Sequence, residues 1–140
     1  MPGYQHPKAI KVGVIGYGGA FNMGQQRLAQ MKQAGMTPFA VCALDPERLK
    51  VAEDDFPGIE TYTSLDTMLR RSDVNLLVHI TPHDLHYPLA MKCVKAGKHV
   101  VTEKPFVLGT TQADRLIAAA KQHKVMVSTY HNRHWDGWIV

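Results

Sequence analysis

The sequence is poor in the features that define several large protein classes. Its 140 residues include two cysteines, Cys42 and Cys93, each in an apolar stretch and without paired spacing. That excludes a disulfide or zinc framework and reads as two small buried residues of a reducing compartment. No apolar run approaches the roughly 18–20 residues of a membrane span, because Lys, Asp, His or Pro interrupts each one. The stretch from Met1 to Lys11 is polar and holds Pro2, Gly3 and Pro7, so it lacks the apolar core of a signal peptide. The formal charge is only +4, and the tightest basic pair is Arg70-Arg71, too little for a nucleic-acid footprint. These absences predict a soluble, cytoplasmic protein with neither a nucleic-acid nor a membrane partner.

What is present suffices for a packed core. Hydrophobic residues at 45% against 20% charged exclude a disordered chain, and the length is that of one domain. Ile10 to Ile15 is a β-branched run ending in glycine, which predicts a buried strand. A helical stripe follows with Gly24, Leu28 and Met31 on one face, stopped by Gly35. Further strands are predicted at 39–44, 59–62, 74–80, 99–102 and 125–128. Helices are predicted to start at Asp45-Pro46-Glu47, at Ser64, with Pro88 in a first turn, and at a capping box formed by Thr111 and Asp114. Strand–helix alternation repeated six times, with little polar alternation in the strands, predicts an α/β fold: a doubly wound parallel sheet of about six strands. The predicted domain runs from 9 to 130, after a flexible lead at 1–8.

In such a sheet, ligands bind beyond the carboxyl ends of the strands, and the unusual residues cluster there. The first strand runs into Gly16-Tyr17-Gly18-Gly19-Ala20-Phe21 and the second into Asp45. The fourth runs into Thr81-Pro82-His83-Asp84-Leu85-His86, the fifth into Glu103-Lys104-Pro105 and the sixth into His131-Asn132-Arg133. Gly16 permits a tight strand-to-helix turn, Gly18 lets a pyrophosphate approach the backbone, and the helix N-terminus stabilises its charge. Phe21 stands where a third glycine belongs; Gly24 takes that place if Phe21-Asn22-Met23 are an insertion. A plain βα turn is the competing reading. Asp45 follows Gly24 by 21 residues, near the roughly 20 expected of an acid that binds an adenosine ribose, although Asp before Pro is also a good helix cap. A carboxylate there repels a 2′-phosphate, which favours NAD over NADP, while Arg48 one turn on softens the preference.

These pieces resemble the glucose–fructose oxidoreductase / inositol dehydrogenase / rhizopine-catabolism (Gfo/Idh/MocA) family. The match is carried by Val14-Ile15-Gly16-Tyr17-Gly18-Gly19, Thr81-Pro82 with His86, Ala96-Gly97-Lys98-His99-Val100 and Glu103-Lys104-Pro105. It spans residues 9 to 135 and covers the family's N-terminal cofactor domain. The resemblance implies a NAD(P)-binding Rossmann fold, with residues 131–140 starting the connection to a second domain that supplies substrate contacts and the homo-oligomer surface. Its implied cofactor residues are Gly16, Gly18, Gly19, Ala20, Phe21, Asn22, Met23, Asp45, Thr81, Pro82, His83, His86, Glu103, Lys104, Asn132 and Arg133. Lys104 is the implied catalytic group, reaching the nicotinamide ribose and a substrate hydroxyl. Pro105 in that motif often follows a cis bond.

The residue chemistry fits: hydride removal from a secondary alcohol needs the hydroxyl proton taken, and a lysine beside a cationic nicotinamide suits that task. A solvated Glu-Lys pair is the alternative. The expected substrate is a sugar, cyclitol or related polyol, and the chain alone is expected to bind cofactor without turnover. A non-catalytic dinucleotide-sensing regulator is the second reading; a proton-transfer lysine argues against it. His83 with His86 and His131 with His134 have short metal-like spacings, but no Cys lies near and each falls in a cofactor-facing loop, so no metal is expected. His79 and His99 read as satisfied strand residues, and Trp135 and Trp138 as packing against the further domain.

Overall fold

A computed structural model describes residues 3–19 and 21–130. Among the described residues, six strands form one sheet: β1 (Lys11–Ile15), β2 (Thr37–Cys42), β3 (Glu60–Tyr62), β4 (Leu76–His79), β5 (His99–Thr102) and β6 (Val127–Thr129). Five helices alternate with them: α1 (Met23–Gln33), α2 (Pro46–Asp55), α3 (Leu65–Arg71), α4 (His86–Lys95) and α5 (Thr110–His123). Every pairing is parallel and the order is β3-β2-β1-β4-β5-β6. This is the doubly wound arrangement read from the alternation.

Two separate apolar layers explain why the strands look continuously hydrophobic. Val12 and Val14 of β1, Val41 of β2, and Leu76 and Val78 of β4 face one way, against Leu28 of α1 and Leu49 and Ala52 of α2. Ile15, Ala40, Cys42, Leu77 and Val100 face the other way, against Met68, Ala90, Val94, Leu116 and Ala120 of α3, α4 and α5. Both faces of the sheet are covered, so alternate residues on each strand are equally apolar.

Helix starts follow local chemistry. Asp45 accepts from the Glu47 amide at 3.0 Å and Ser64 from the Thr67 amide at 3.3 Å. The expected capping box at Thr111 is a correction. Gly109, in extended conformation, takes the cap position of α5 with no side-chain bond, which leaves Thr111 inside the first turn. Leu116 and Ala120 are buried, whereas Ile117 is exposed. The second strand ends two residues earlier than the apolar run suggested, and Leu44 stands 90% exposed beyond it.

Among the described residues, no helix is long and apolar enough to cross a membrane. The described residues also hold no cluster of three or more His, Cys, Asp or Glu side chains able to ligate a metal.

Candidate functional site

The order of strands places the site. From β1 the chain departs to α1 on one face of the sheet; from β4, its neighbour, it departs to α4 on the other. The two connections diverge and leave a crevice at the carboxyl ends of β1 and β4. A cavity of about 370 Å³ lies there, lined by Gly16, Tyr17, Asp45, Arg48, Thr81 and Pro82, with Leu44, Leu65, Leu85 and Leu89 as its apolar walls.

Glycine is required at the crevice for two different reasons. Gly16 has φ +103°, and a Cβ there would stand 2.1 Å from the Ile80 carbonyl oxygen. No side chain fits that approach of β1 to the loop after β4. Gly24 is different: it sits in α1 with ordinary φ, but a Cβ would stand 2.6 Å from the Gly16 carbonyl oxygen and 2.8 Å from the Tyr17 ring. It lets the helix lie directly on the turn, with Phe21 and Asn22 between Gly19 and the start of α1 at Met23.

The rest of the loop is held from within. Asn22 adopts φ 35° and its Oδ1 accepts from the Gly18 amide at 2.9 Å and the Gln25 amide at 3.3 Å. Tyr17 is buried and its hydroxyl donates to Asp55 at the end of α2 at 2.6 Å; burial first, and then that carboxylate, raise its pKa above the usual phenol value. Gly18 and Gly19 both have positive φ; Arg48 passes beside Gly18, and the space around Gly19 is open. Phe21 is 80% exposed at the tip, and Met23 begins α1. Ala20 lies outside the described residues.

Asp45 is at the cavity and is also the cap of α2. Its Oδ2 stands 4.0 Å from Arg48 Nε, while Arg48 Nη1 donates to the Tyr17 carbonyl at 3.3 Å. Thr81 carries a buried hydroxyl with no partner among the described residues, and it lines the cavity. Pro82 and the short 3-10 turn His83–Leu85 follow it. His86 is fully buried, with Nδ1 2.7 Å from the Pro105 carbonyl and Nε2 3.1 Å from the Thr81 carbonyl. His83 meets the His86 ring edge-on at 5.7 Å. Both His86 nitrogens thus face backbone carbonyls.

The structure adds a residue that the sequence reading passed over. Arg27 of α1 is 5% exposed, and its Nε donates to Glu103 at 2.5 Å. Its Nη1 donates to Gln30 at 3.1 Å, and its guanidinium lies over the Tyr130 ring at 3.8 Å. Glu103 is therefore committed to an ion pair with α1. Lys104 beside it is exposed, and the Lys104–Pro105 peptide is cis. Asn132, Arg133, His131, His134, Trp135 and Trp138 lie outside the described residues.

His79, at the end of β4, is also fully buried. Its Nε2 lies 3.5 Å from Cys93 Sγ, but Nδ1 has no partner among the described residues, so it is not the satisfied strand residue expected. Burial, with His86 contributing, pushes its pKa down to about 3 and keeps the ring neutral. Burial likewise pushes the thiols up, Cys42 to about 11 and Cys93 to about 12.

A positive-φ glycine turn into a helix, a helix glycine packed on that turn, an acid at the end of β2 and an orphaned hydroxyl over the crevice together fit a dinucleotide. The comparisons agree. Over 136 residues the chain is 32% identical to scyllo-inositol 2-dehydrogenase (NADP(+)) IolW of Bacillus subtilis, covering 97% of this chain and 37% of that protein. It is 26% identical over 127 residues to myo-inositol 2-dehydrogenase of Thermotoga maritima, covering 91% of this chain and 37% of that protein. Among solved structures, the WlbA dehydrogenase of Chromobacterium violaceum, in complex with NADH and UDP-GlcNAcA, superposes with a TM-score of 0.87 at 26% identity, over 99% of this chain and 39% of that one. The chain thus spans little more than a third of the length of these relatives. Residues 10–131 match the family model of oxidoreductases with an NAD-binding Rossmann fold, GFO_IDH_MocA, and the chain belongs to that family.

Proposed function

We propose that this chain is the dinucleotide-binding part of an NAD-dependent oxidoreductase acting on a sugar, cyclitol or related polyol. The observation that carries the reading is the Gly16–Gly24 cradle, where two absent side chains let β1, the loop after β4 and the start of α1 converge on one crevice. When bound, the nicotinamide ring supplies the hydride acceptor.

The chain's own residues divide the remaining work. The turn at Gly16 to Met23 and the amides at the start of α1 receive the pyrophosphate. Asp45 accepts from the adenosine ribose while it caps α2, and its charge disfavours a 2′-phosphate. The Thr81 hydroxyl, with Pro82, His83 and His86 behind it, closes the crevice from the β4 side. Lys104 takes the hydroxyl proton at Nζ. Glu103 supports it through Arg27, and Asn132 and Arg133 complete the nicotinamide end. The substrate class rests on similarity to the inositol dehydrogenases and on the sugar nucleotide held by the WlbA dehydrogenase. Turnover requires a further domain, which also carries the subunit contacts of a homo-oligomer.

The test is a calorimetric titration of the chain with NAD⁺ and NADP⁺. Saturable binding with NAD⁺ tighter supports the reading, and Asp45→Ala then narrows the gap. Tighter NADP⁺ reduces Asp45 to a helix cap and makes Arg48 the selector. Silence from both removes the dinucleotide reading for the isolated chain.

A further inference from the structure

The two loops that reach the crevice from β4 and β5 are joined by one side chain. His86 opens α4, yet its ring faces two backbone carbonyls from different loops: Thr81, just beyond β4, and Pro105, in the bend after β5. Those residues are 5 and 19 positions away in sequence. Both partners are acceptors, so the ring is the donor on each side. A neutral ring has one N–H to give, and the shorter contact, 2.7 Å, is Nδ1 to Pro105; only the doubly protonated ring satisfies both at once. The ring has no solvent access, and His83 closes over it edge-on. The ring nitrogens therefore have these two carbonyls, and not water, as partners.

We propose that His86 is a positioning residue for Lys104. By holding the Pro105 carbonyl through Nδ1, it fixes the bend on which Lys104 stands and registers that bend against the Thr81 loop. Lys104 itself is exposed, and its own side chain does little to anchor it. The placement toward a bound dinucleotide rests on the function proposed above; the clamp itself does not.

Two polar substitutions separate the bonds. In His86→Asn the carboxamide nitrogen falls near the Nδ1 position and keeps the Pro105 bond. In His86→Gln it reaches the Nε2 position and keeps the Thr81 bond instead. Hydrogen exchange of the ligand-free 140-residue chain, followed in peptides spanning 102–110, reads the clamp directly. His86→Asn should match the parent, and His86→Gln should exchange about tenfold faster, the worth of one hydrogen bond. Equal exchange in the two variants overturns the proposal.

The second readout is acetylation of Lys104 Nζ by acetic anhydride, with and without NADH, followed by peptide mass spectrometry. NADH should protect Lys104 in the parent and in His86→Asn, and protection should fall several-fold in His86→Gln. Equal protection in all three overturns the positioning role. If NADH protects none of them while the exchange difference persists, the clamp stands and the dinucleotide reading fails.

Discussion

The two rims of the sheet are built from the same strands and differ in what they leave undone. At the amino ends, the Asn75 side chain accepts from the Lys11 amide at 2.7 Å, and His99 Nδ1 accepts from the Met126 amide at 2.9 Å. The space there is an apolar cavity of about 280 Å³ walled by Ile10, Met36, Leu76 and Met126, with Tyr4 edge-on to His99. At the carboxyl ends, Gly16 turns at a positive φ where a Cβ would strike the Ile80 carbonyl, and the Thr81 hydroxyl is buried with no partner among the described residues; at positive-φ Gly58 and Gly97, which lead into β3 and β5 at the other rim, a Cβ would meet nothing within 4 Å. One rim turns at glycines such as Gly58 and Gly97 that have open space around them, and the other holds a turn that only glycine fits, beside an unmet donor that lines a cavity. Proteins hold such features where they are used.

Substitutions at matched sites break that contrast most sharply at Gly16. Gly16→Ala forces a Cβ onto the Ile80 carbonyl at a φ that disfavours any side chain, and should cost more than about 3 kcal/mol by chemical denaturation and abolish dinucleotide binding. Gly3→Ala, at the opposite rim, meets nothing within 4 Å and should be silent in both assays.

The next effect is of pH. His79 ends β4, and His99 begins β5; both are held below the usual imidazole value by burial. A depressed histidine leaves stability intact above the unfolded value near 6.5, and weakens the fold as pH falls, because the unfolded chain then binds the proton more tightly. For His79 the loss should accumulate between pH 6.5 and about 3 and reach a few kcal/mol. His79→Leu should flatten that slope in denaturation curves taken across the range. His99→Leu should flatten it less, its burial being partial.

A smaller loss is expected at Asp45. Asp45→Ala removes the cap of α2 and should cost about 1 kcal/mol of thermal stability. Smallest of all is Lys104→Ala, which should change stability by less than about 0.5 kcal/mol, because the side chain is exposed. A large loss there would mean that this rim uses its lysine to hold the fold.

The sheet was legible because both of its faces are buried, which writes each strand as an unbroken apolar run. Gly16, Gly18 and Asp45 were legible because each answers a local demand of turn or cap. Gly24 emerged from spacing alone. Arg27 was not found, although a signal existed: positions 24, 27, 28 and 31 form one helical stripe, and a charge on a buried stripe implies a partner. That partner, Glu103, is 76 residues away, where no local pattern reaches. The His86 clamp was hidden for the same reason, since its acceptors are backbone carbonyls that carry no residue identity. The Thr111 capping box failed because the motif occurs equally well within the first turn of a helix capped by a glycine.

The Arg27 guanidinium has one further consequence. It is the anchor of Glu103 on one edge and the platform for the Tyr130 ring on its face, where the chain leaves β6. A swing of the backbone at Tyr130 gives up the stack that also steadies the carboxylate next to Lys104. The segment leaving β6 and the bend at Glu103 therefore rest on one and the same side chain.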